Sequence, residues 1–386
     1  MLFKDVMVEE GLKRQLVSMV RNNRISHAQL FLSQAGSHSF ALAVAYSQYI
    51  CCENPGEWDS CGECPSCAKF EKLAHPDLHL IFPNAVGKTV KKDPDSDQFA
   101  DEFRKFVLDR HYHIDLEEWL TELGGENKQA SINIRDCANI IRQNSVRSYE
   151  GGYKIFILWN VERLYYAAAP KLLKTLEEPE NKTVFILMAE NPDRILSTIL
   201  SRTQLIKIPR LSDDKIKNRL MCDFGAPEDL AADIAEISDG NYNKALSLFE
   251  DRGELKEMLH YFDTIFGSML SLAEKRMEGV LFTEVQSLFS EIVSRGRESQ
   301  KSFISFMIRI FRNILFMNTD NAVMIKSTSD EKKIIRKYLS SINLKNAAAV
   351  LHECNEAIYH IERNGNSGLV FTDLYLKLAQ HLAPRP

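Results

Sequence analysis

The sequence predicts an α/β domain built on a parallel sheet, followed by a remainder that is helical throughout. Two observations carry this. Short continuous apolar runs at Leu30–Leu32, Lys154–Leu158, Thr183–Leu187 and Gln204–Ile208 alternate with helical patterns up to Pro209, and strands that alternate with helices imply a parallel sheet covered on both faces. After Leu211 the alternation of strands and helices stops, and the patterns are helical to the end.

Taken in order, residues 1–27 read as helical, with Val8, Leu12, Leu16, Val17 and Val20 on one face. Leu30-Phe31-Leu32 reads as a short buried strand, Ser33–Phe40 as a turn, and Ala41–Ile50 as an apolar helix. Strand, tight turn and helix is the setting of a P-loop, in which backbone N–H groups and a helix N-terminus cradle phosphates. Its chemistry, G-x-x-x-x-G-K-[ST], needs a lysine on the β- and γ-phosphates and a hydroxyl on Mg²⁺. Here Ser33 and His38 stand for the two glycines, Ser39 for the lysine and Phe40 for the hydroxyl residue, with Gly36 left inside the turn. A phenyl ring cannot ligate Mg²⁺, so by itself this octapeptide is an ordinary strand-to-helix turn.

Five of the eight cysteines crowd together at 51, 52, 61, 64 and 67. The spacing Cys52-x8-Cys61-x2-Cys64-x2-Cys67 is that of a four-cysteine zinc site, because each C-x2-C pair lets two thiolates grip one tetrahedral ion. Cys51 is an alternative to Cys52. No His, Asp or Glu is placed to leave an open coordination position, so the expected site is structural. Cys137, Cys222 and Cys354 stand alone and read as core residues.

His75-Pro76-Asp77 leads into a strand at Leu78–Phe82, and residues 88–130 read as a helical insertion. Positions 93–126 carry eleven acids against three bases, with Phe99, Phe103, Phe106, Val107, Leu116, Trp119 and Leu120 spaced for amphipathic helices. The acids are expected to form a solvated face, with an acidic docking surface as the alternative. A helix follows at Ile134–Gln143, then the strand at 154–158. A helix bearing Leu172–Glu178 ends at Pro179, with Pro170 as a helix-start residue. Beyond it come the strand at 183–187, Ser201-Arg202-Thr203 and the last strand. Three short helical patterns follow at Asp213–Cys222, Pro227–Ser238 and Asn243–Phe249. Longer ones include the stripe from Phe303 to Leu315, Ala347–Ile361 and Asp373–Leu382.

Composition narrows the class. With 45% apolar and 26% charged residues the chain is ordinary for a globular protein. No apolar stretch approaches the roughly 20 residues of a membrane span, and Met1–Asp5 lacks the layout of a signal peptide. A cytoplasmic protein without disulfides or membrane contact is expected. The net charge of −5 argues against nucleic-acid binding over the whole surface.

The P-loop-like turn, the cysteine knuckle, the phrase Leu172-Leu173-Lys174-Thr175-Leu176-Glu177-Glu178-Pro179 and Ser201-Arg202 together resemble the AAA+ clamp-loader subunits of bacterial DNA polymerase III. That family carries L-L-K-x-L-E-E-P, an S-R-C motif and a zinc knuckle after the P-loop helix. The resemblance runs in recognisable motifs over residues 1 to about 250. It implies a RecA-like AAA+ domain (1–209) with a zinc knuckle (51–67), a three-helix lid (210–252) and an all-helical oligomerisation, or collar, domain (253–386). Residues 88–130 have no counterpart in the compact members.

The departures point to a non-hydrolysing subunit. The Asp-Glu that ends the following strand in ATP-hydrolysing members is Trp159-Asn160, with Glu162 alone beyond it, and the lid arginine falls near Asn243 beside Lys244. Phosphate lysine, metal hydroxyl and both carboxylates are missing, so no ATP is expected in this chain's own site. Arg202 remains, and the resemblance implies that it acts in trans on a neighbour's nucleotide, although Thr203 replaces the cysteine of S-R-C. The implied partners are gamma/tau-type ATPase and delta subunits, with the sliding clamp and primed DNA reached through the complex. Two alternatives are an ATP-hydrolysing gamma/tau-type subunit, disfavoured by Ser39, and a zinc-knuckle nucleic-acid-binding protein. The latter is disfavoured by Glu53, Glu57, Asp59 and Glu63 around the cysteines.

Overall fold

Five strands, β1 (Ala28–Leu32), β2 (Leu78–Ile81), β3 (Lys154–Leu158), β4 (Thr183–Ala189) and β5 (Gln204–Lys207), pair parallel throughout in the order β2-β3-β4-β1-β5. The computed structural model describes residues 1–86, 90, 92–124, 130–250, 252–274, 279–319, 327–363 and 365–383. The chain divides into two compact units, Met1–Phe224 with Ser238–Leu246, and Gly225–Ile237 with Ser247–Pro386.

The sheet belongs to the first unit. β3 and β4 are buried along their whole length, which is why they read as unbroken apolar runs rather than alternating ones. Side chains still alternate between faces. Phe31, Ile155, Ile157, Val184, Ile186 and Met188 enter one core, while Leu30, Phe156, Leu158, Phe185 and Leu187 enter the other. The first core is organised by α2 (Ser39–Cys51), apolar all round and buried from Phe40 to Ile50, as expected of a helix with no solvent face. α1 (Glu10–Arg21) and α3 (Pro65–Glu71) lie beside α2. The N-terminal segment differs from expectation: α1 spans only Glu10–Arg21, and Val8 precedes it as a buried residue in a bend, its N–H donating to Val6 O at 3.0 Å.

The acidic insertion is also part of this core. α4 (Ala100–Asp109) and α5 (Leu116–Glu122) bury Phe103, Phe106, Val107 and Trp119 against α2 and the sheet, and Trp119 Nε1 donates to Pro83 O at 2.9 Å. Asp101, Glu102, Glu117 and Glu118 remain exposed, so these acids form a solvated face over an apolar one, whereas Asp95 is buried. The parts of the insertion at 88–89, 91 and 125–129 lie outside the described residues.

On the other face, α6 (Ile134–Ser145) and α7 (Ala169–Glu177) pack on each other and on the sheet through Cys137, Ile140, Leu172 and Leu176. Pro170 sits in the first turn of α7, where its missing N–H would have no helical partner. The buried Lys154 Nζ donates to Gln143 O at 2.6 Å and Asn144 O at 3.2 Å, satisfying carbonyls at the end of α6. A one-turn helix, α8 (Ser197–Leu200), precedes β5. α9 (Asp213–Phe224) buries Ile216 and Leu220. Cys222 lies two residues past Leu220, on the opposite side of the helix, and is exposed. It is therefore a surface residue, contrary to the expectation from sequence, whereas Cys137 and Cys354 are buried.

α10 (Glu228–Ser238) and α11 (Tyr242–Glu250) follow, with the start of α11 in the first unit. The second unit continues as helices: α12 (Arg252–Ala273), α13 (Gly279–Ser294), α14 (Arg297–Met317), α15 (Ser329–Lys337), α16 (Ala347–Glu362) and α17 (Ser367–Leu382). Their core includes Phe303, Ile304, Phe306, Met307, Ile310, Phe311 and Ile314, so the apolar stripe of α14 is interior packing. No described helix is long and apolar enough to cross a membrane.

Candidate functional site

β1 lies between β4 and β5, so the strand order reverses there. In open parallel sheets ligands bind beyond the C-terminal ends of the strands at such a reversal. The Ser33–Phe40 turn occupies that position. Ser33 N donates to Ala189 O at 3.0 Å, Ser33 Oγ to Ser39 Oγ at 3.0 Å, and Ser37 N to Gln34 O at 3.2 Å.

Side chains of the same unit fill the space beside the turn. His38, at φ 58° just before α2, accepts a bond from Met7 N on Nδ1 at 3.0 Å. Its ring stacks on His113 at 4.2 Å, and His113 packs on Tyr242 at 4.5 Å. Gly36 has φ +68°; a Cβ there would lie 2.0 Å from Asn241 Oδ1 and 2.8 Å from Tyr242 N. Tyr242 N donates to Gly36 O at 3.2 Å, and Asn243 Nδ2 to Ile114 O at 3.2 Å. Phe40 is buried edge-on to Phe103 (6.0 Å) and Trp159 (6.5 Å). Burial holds both imidazoles neutral: His38 is pushed well below its usual range, with His113 adding to the effect. His113 is pushed down to about 3 by burial and by Arg219.

Beyond β3, Asn160 adopts φ 54° and Trp159 turns into the core. Glu162 Oε1 accepts from Glu190 N at 2.9 Å. Glu190 is pushed up to about 7, first by desolvation and then by the Glu162 and Asp115 carboxylates. His113, Ile114 and Tyr242 had no sequence signal as neighbours of the turn, because their proximity depends on the path of the insertion.

Cys52, Cys61, Cys64 and Cys67 come together with all four Sγ atoms within 4.8 Å of one another. Cys52–Cys61, Cys52–Cys67 and Cys61–Cys67 are 3.5, 3.6 and 3.8 Å apart. The Sγ–Sγ edge of a tetrahedral zinc site with ~2.3 Å bonds is about 3.8 Å, so the cluster can hold a metal ion. Backbone N–H groups of Cys61, Cys64 and Cys67 donate to the sulfurs of Cys52, Cys61 and Cys64 at 3.3–3.4 Å. Such donors favour thiolate, and the Cys61 thiol is lowered to about 6, chiefly by the backbone N–H groups of Glu63 and Cys64, whereas burial pushes the Cys52 and Cys67 thiols up. Pro65 opens α3 with Cys64 as its N-cap. Cys51 stands apart, its Sγ bonded to Tyr153 O at 3.6 Å, which favours Cys52 as the fourth sulfur. The knuckle is tied down by Asp59, whose two oxygens accept from Phe3 N and Lys4 N at 2.9 and 3.0 Å, and by Gln48 Nε2 on Ser60 Oγ at 2.8 Å.

Arg202 follows α8. Its Nε and Nη2 meet Glu177 Oε1, and its Nη1 donates to Thr198 O at 2.9 Å and Ser201 Oγ at 3.2 Å. Thr203 Oγ1 is occupied locally, on Ile199 O and Leu200 O. Glu177, inside the L-L-K-x-L-E-E-P phrase, is a partner that sequence reading left without a role.

The reversed strand order with a strand–turn–helix at its switch point defines a RecA-like AAA+ domain followed by helices. The family model described as "DNA polymerase III, delta subunit" matches residues 8–212, and the chain belongs to that family. Among curated proteins, DNA polymerase III subunit delta' of Bacillus subtilis (strain 168) is 27% identical over 206 residues, covering 53% of this chain and 49% of the relative. Subunit delta' of Escherichia coli (strain K12) is 26% identical over 246 residues, 64% of this chain and 61% of the relative. Subunit tau of Bacillus subtilis (strain 168) is 24% identical over 330 residues, 82% of this chain and 50% of the relative. The chain thus spans about half to three-fifths of the length of these relatives.

Proposed function

We propose that this chain is a delta-prime-type stator of a bacterial DNA polymerase III clamp loader, a cytoplasmic subunit that hydrolyses no ATP itself and supplies Arg202 to a neighbouring ATPase subunit. The observation that carries this reading is the turn at Ser33–Phe40. Ser39 and Phe40 offer neither the phosphate cation nor the metal hydroxyl, and His38, His113 and Tyr242 stack beside the turn where a nucleotide would need room. Trp159 and Asn160 likewise supply no carboxylate for Mg²⁺ or for the attacking water. The match to a tau subunit covers more of the chain, yet an ATP-hydrolysing role needs the groups these positions lack.

In this reading residues 1–209 form the AAA+ domain, 210–252 the lid and 253–386 the collar through which the loader assembles. Gamma/tau and delta subunits are its neighbours, and the sliding clamp and primed DNA are engaged through the complex. The four cysteines hold one structural Zn²⁺ that fixes a loop too polar to pack by itself. In the neighbour's site, water adds to the γ-phosphorus as the bond to the β–γ bridging oxygen breaks, and a guanidinium stabilises the charge on the transferring group. Such fingers contribute on the order of 10³–10⁵ in rate at the site they serve.

Arg202→Ala tests this in the reconstituted loader with its ATPase subunits, clamp and primed DNA. Folding and metal content should be unchanged while ATP hydrolysis and clamp loading fall in part, since other interfaces keep their own arginines. Hydrolysis and loading at the unmodified rate would remove the trans role.

A further inference from the structure

We infer that Glu177 is the positioning residue for Arg202, holding the guanidinium in the orientation from which it reaches a neighbour's nucleotide. This rests on the trans-finger reading above.

A guanidinium has five N–H donors in one plane. Glu177 Oε1 takes Nε and one hydrogen of Nη2, and Thr198 O and Ser201 Oγ take both hydrogens of Nη1. Among the described residues, one Nη2 hydrogen is left without an acceptor, so a flexible side chain presents a single, fixed edge. The placement of Glu177 is informative. It is the last residue of α7, where the helix dipole disfavours a carboxylate and favours a cation. Arg202 supplies that cation from a separate element twenty-five residues on.

Stability does not account for the pair. Both side chains are substantially exposed, 35% for Arg202 and 44% for Glu177, and exposed pairs contribute little to folding. What the contact does is restrict rotamers of a long side chain before it meets its target, and orientation established in advance lowers the barrier of the step it serves. Glu177 touches neither substrate nor metal in this scheme and acts only through Arg202.

The test uses the reconstituted loader with ATP, clamp and primed DNA, comparing Glu177→Ala, Arg202→Ala and the double variant. Glu177→Ala is expected to lower kcat for ATP several-fold with KM unchanged, because a finger stabilises the transition state rather than the bound substrate. The double variant should be no slower than Arg202→Ala alone, since residues acting as a unit are not additive. Glu177→Asp should recover part of the rate, because the charge is kept on a shorter arm. If Arg202→Ala is slow but Glu177→Ala runs at the unmodified rate, the positioning role is overturned and the finger stands. If the two losses multiply, Glu177 acts independently of Arg202 and the inference fails. If Arg202→Ala is itself without effect, the finger reading falls and this inference with it.

Discussion

Phe103→Ala tests whether the acidic insertion is part of the core. Phe103 is 1% exposed, stacks on Phe82 at 3.8 Å and faces Trp119 at 5.1 Å, Trp159 at 5.6 Å and Phe40 at 6.0 Å. Truncating a buried Phe costs about 3–5 kcal/mol in lost transfer energy and residual cavity, and several aromatic neighbours place this site toward the upper end. For a unit of this size each kcal/mol moves the midpoint by roughly 2–4 °C, so about 8–20 °C is expected. Calorimetry on the intact metal-loaded chain measures the transition of the first unit, and tryptophan fluorescence reports loosening around Trp119 and Trp159. Phe103→Leu, which refills most of the space, should lose much less. A Phe103→Ala protein that melts within about 2 °C of the unmodified chain would show that α4 is an appendage and that the sheet domain is complete without it.

Metal analysis of the purified chain should return one zinc per chain, and Cys64→Ser should lower that content and destabilise the first unit; well under one zinc in the unmodified protein would exclude the site. Calorimetric titration with Mg·ATP should show no micromolar binding, and Ser39→Lys should not create it, because Phe40 and the His38–His113–Tyr242 stack remain. Acid should destabilise the first unit through His113. Its folded value is about 3 against about 6.5 in the unfolded chain, so the unfolded state takes the proton first. Stability is full above pH about 6.5 and is lost at up to about 1.4 kcal/mol per unit as pH falls toward 3. His111, Arg219 and His38 act on the same ring, and His113→Phe, which keeps the stack, should flatten the acid limb; an unchanged slope would refute the assignment.

The sheet was legible because buried parallel strands leave unbroken apolar runs, as Ile155–Leu158 and Val184–Leu187 do. The cysteine site was legible because chelation fixes local spacing, and the alternative at Cys51 needed only its contact with Tyr153 to be set aside. Elements decided by distant partners were not legible. Val8 has helical spacing with Leu12 and Leu16, yet it lies in a bend, with α1 starting only at Glu10. Cys222 looked apolar, but which face of α9 is covered depends on Ile216 and Leu220. The insertion's acids were visible in composition, while the packing of its apolar face against Phe40 and Trp159 at the switch-point end of the sheet was not. Glu177 sat in a recognised phrase, but its contact with Arg202 spans β4 and the one-turn α8, neither of which carries a signal for that pairing.

The central place of β1 also governs how the polypeptide emerges during synthesis. Among the described residues its strand partners are β4, ending at Ala189, and β5, ending at Lys207. At roughly 5–20 residues per second, Ala28–Leu32 waits about 8–30 s for its first neighbour. During that interval an apolar segment has both backbone edges open, and the knuckle, which needs only residues 52–67 and a metal ion, can close well before the sheet does. In this chain the cysteine loop, which a metal ion could close, is therefore complete while the strand beside it is still unpaired, and exposure to misassembly is set by the distance along the chain to Thr183.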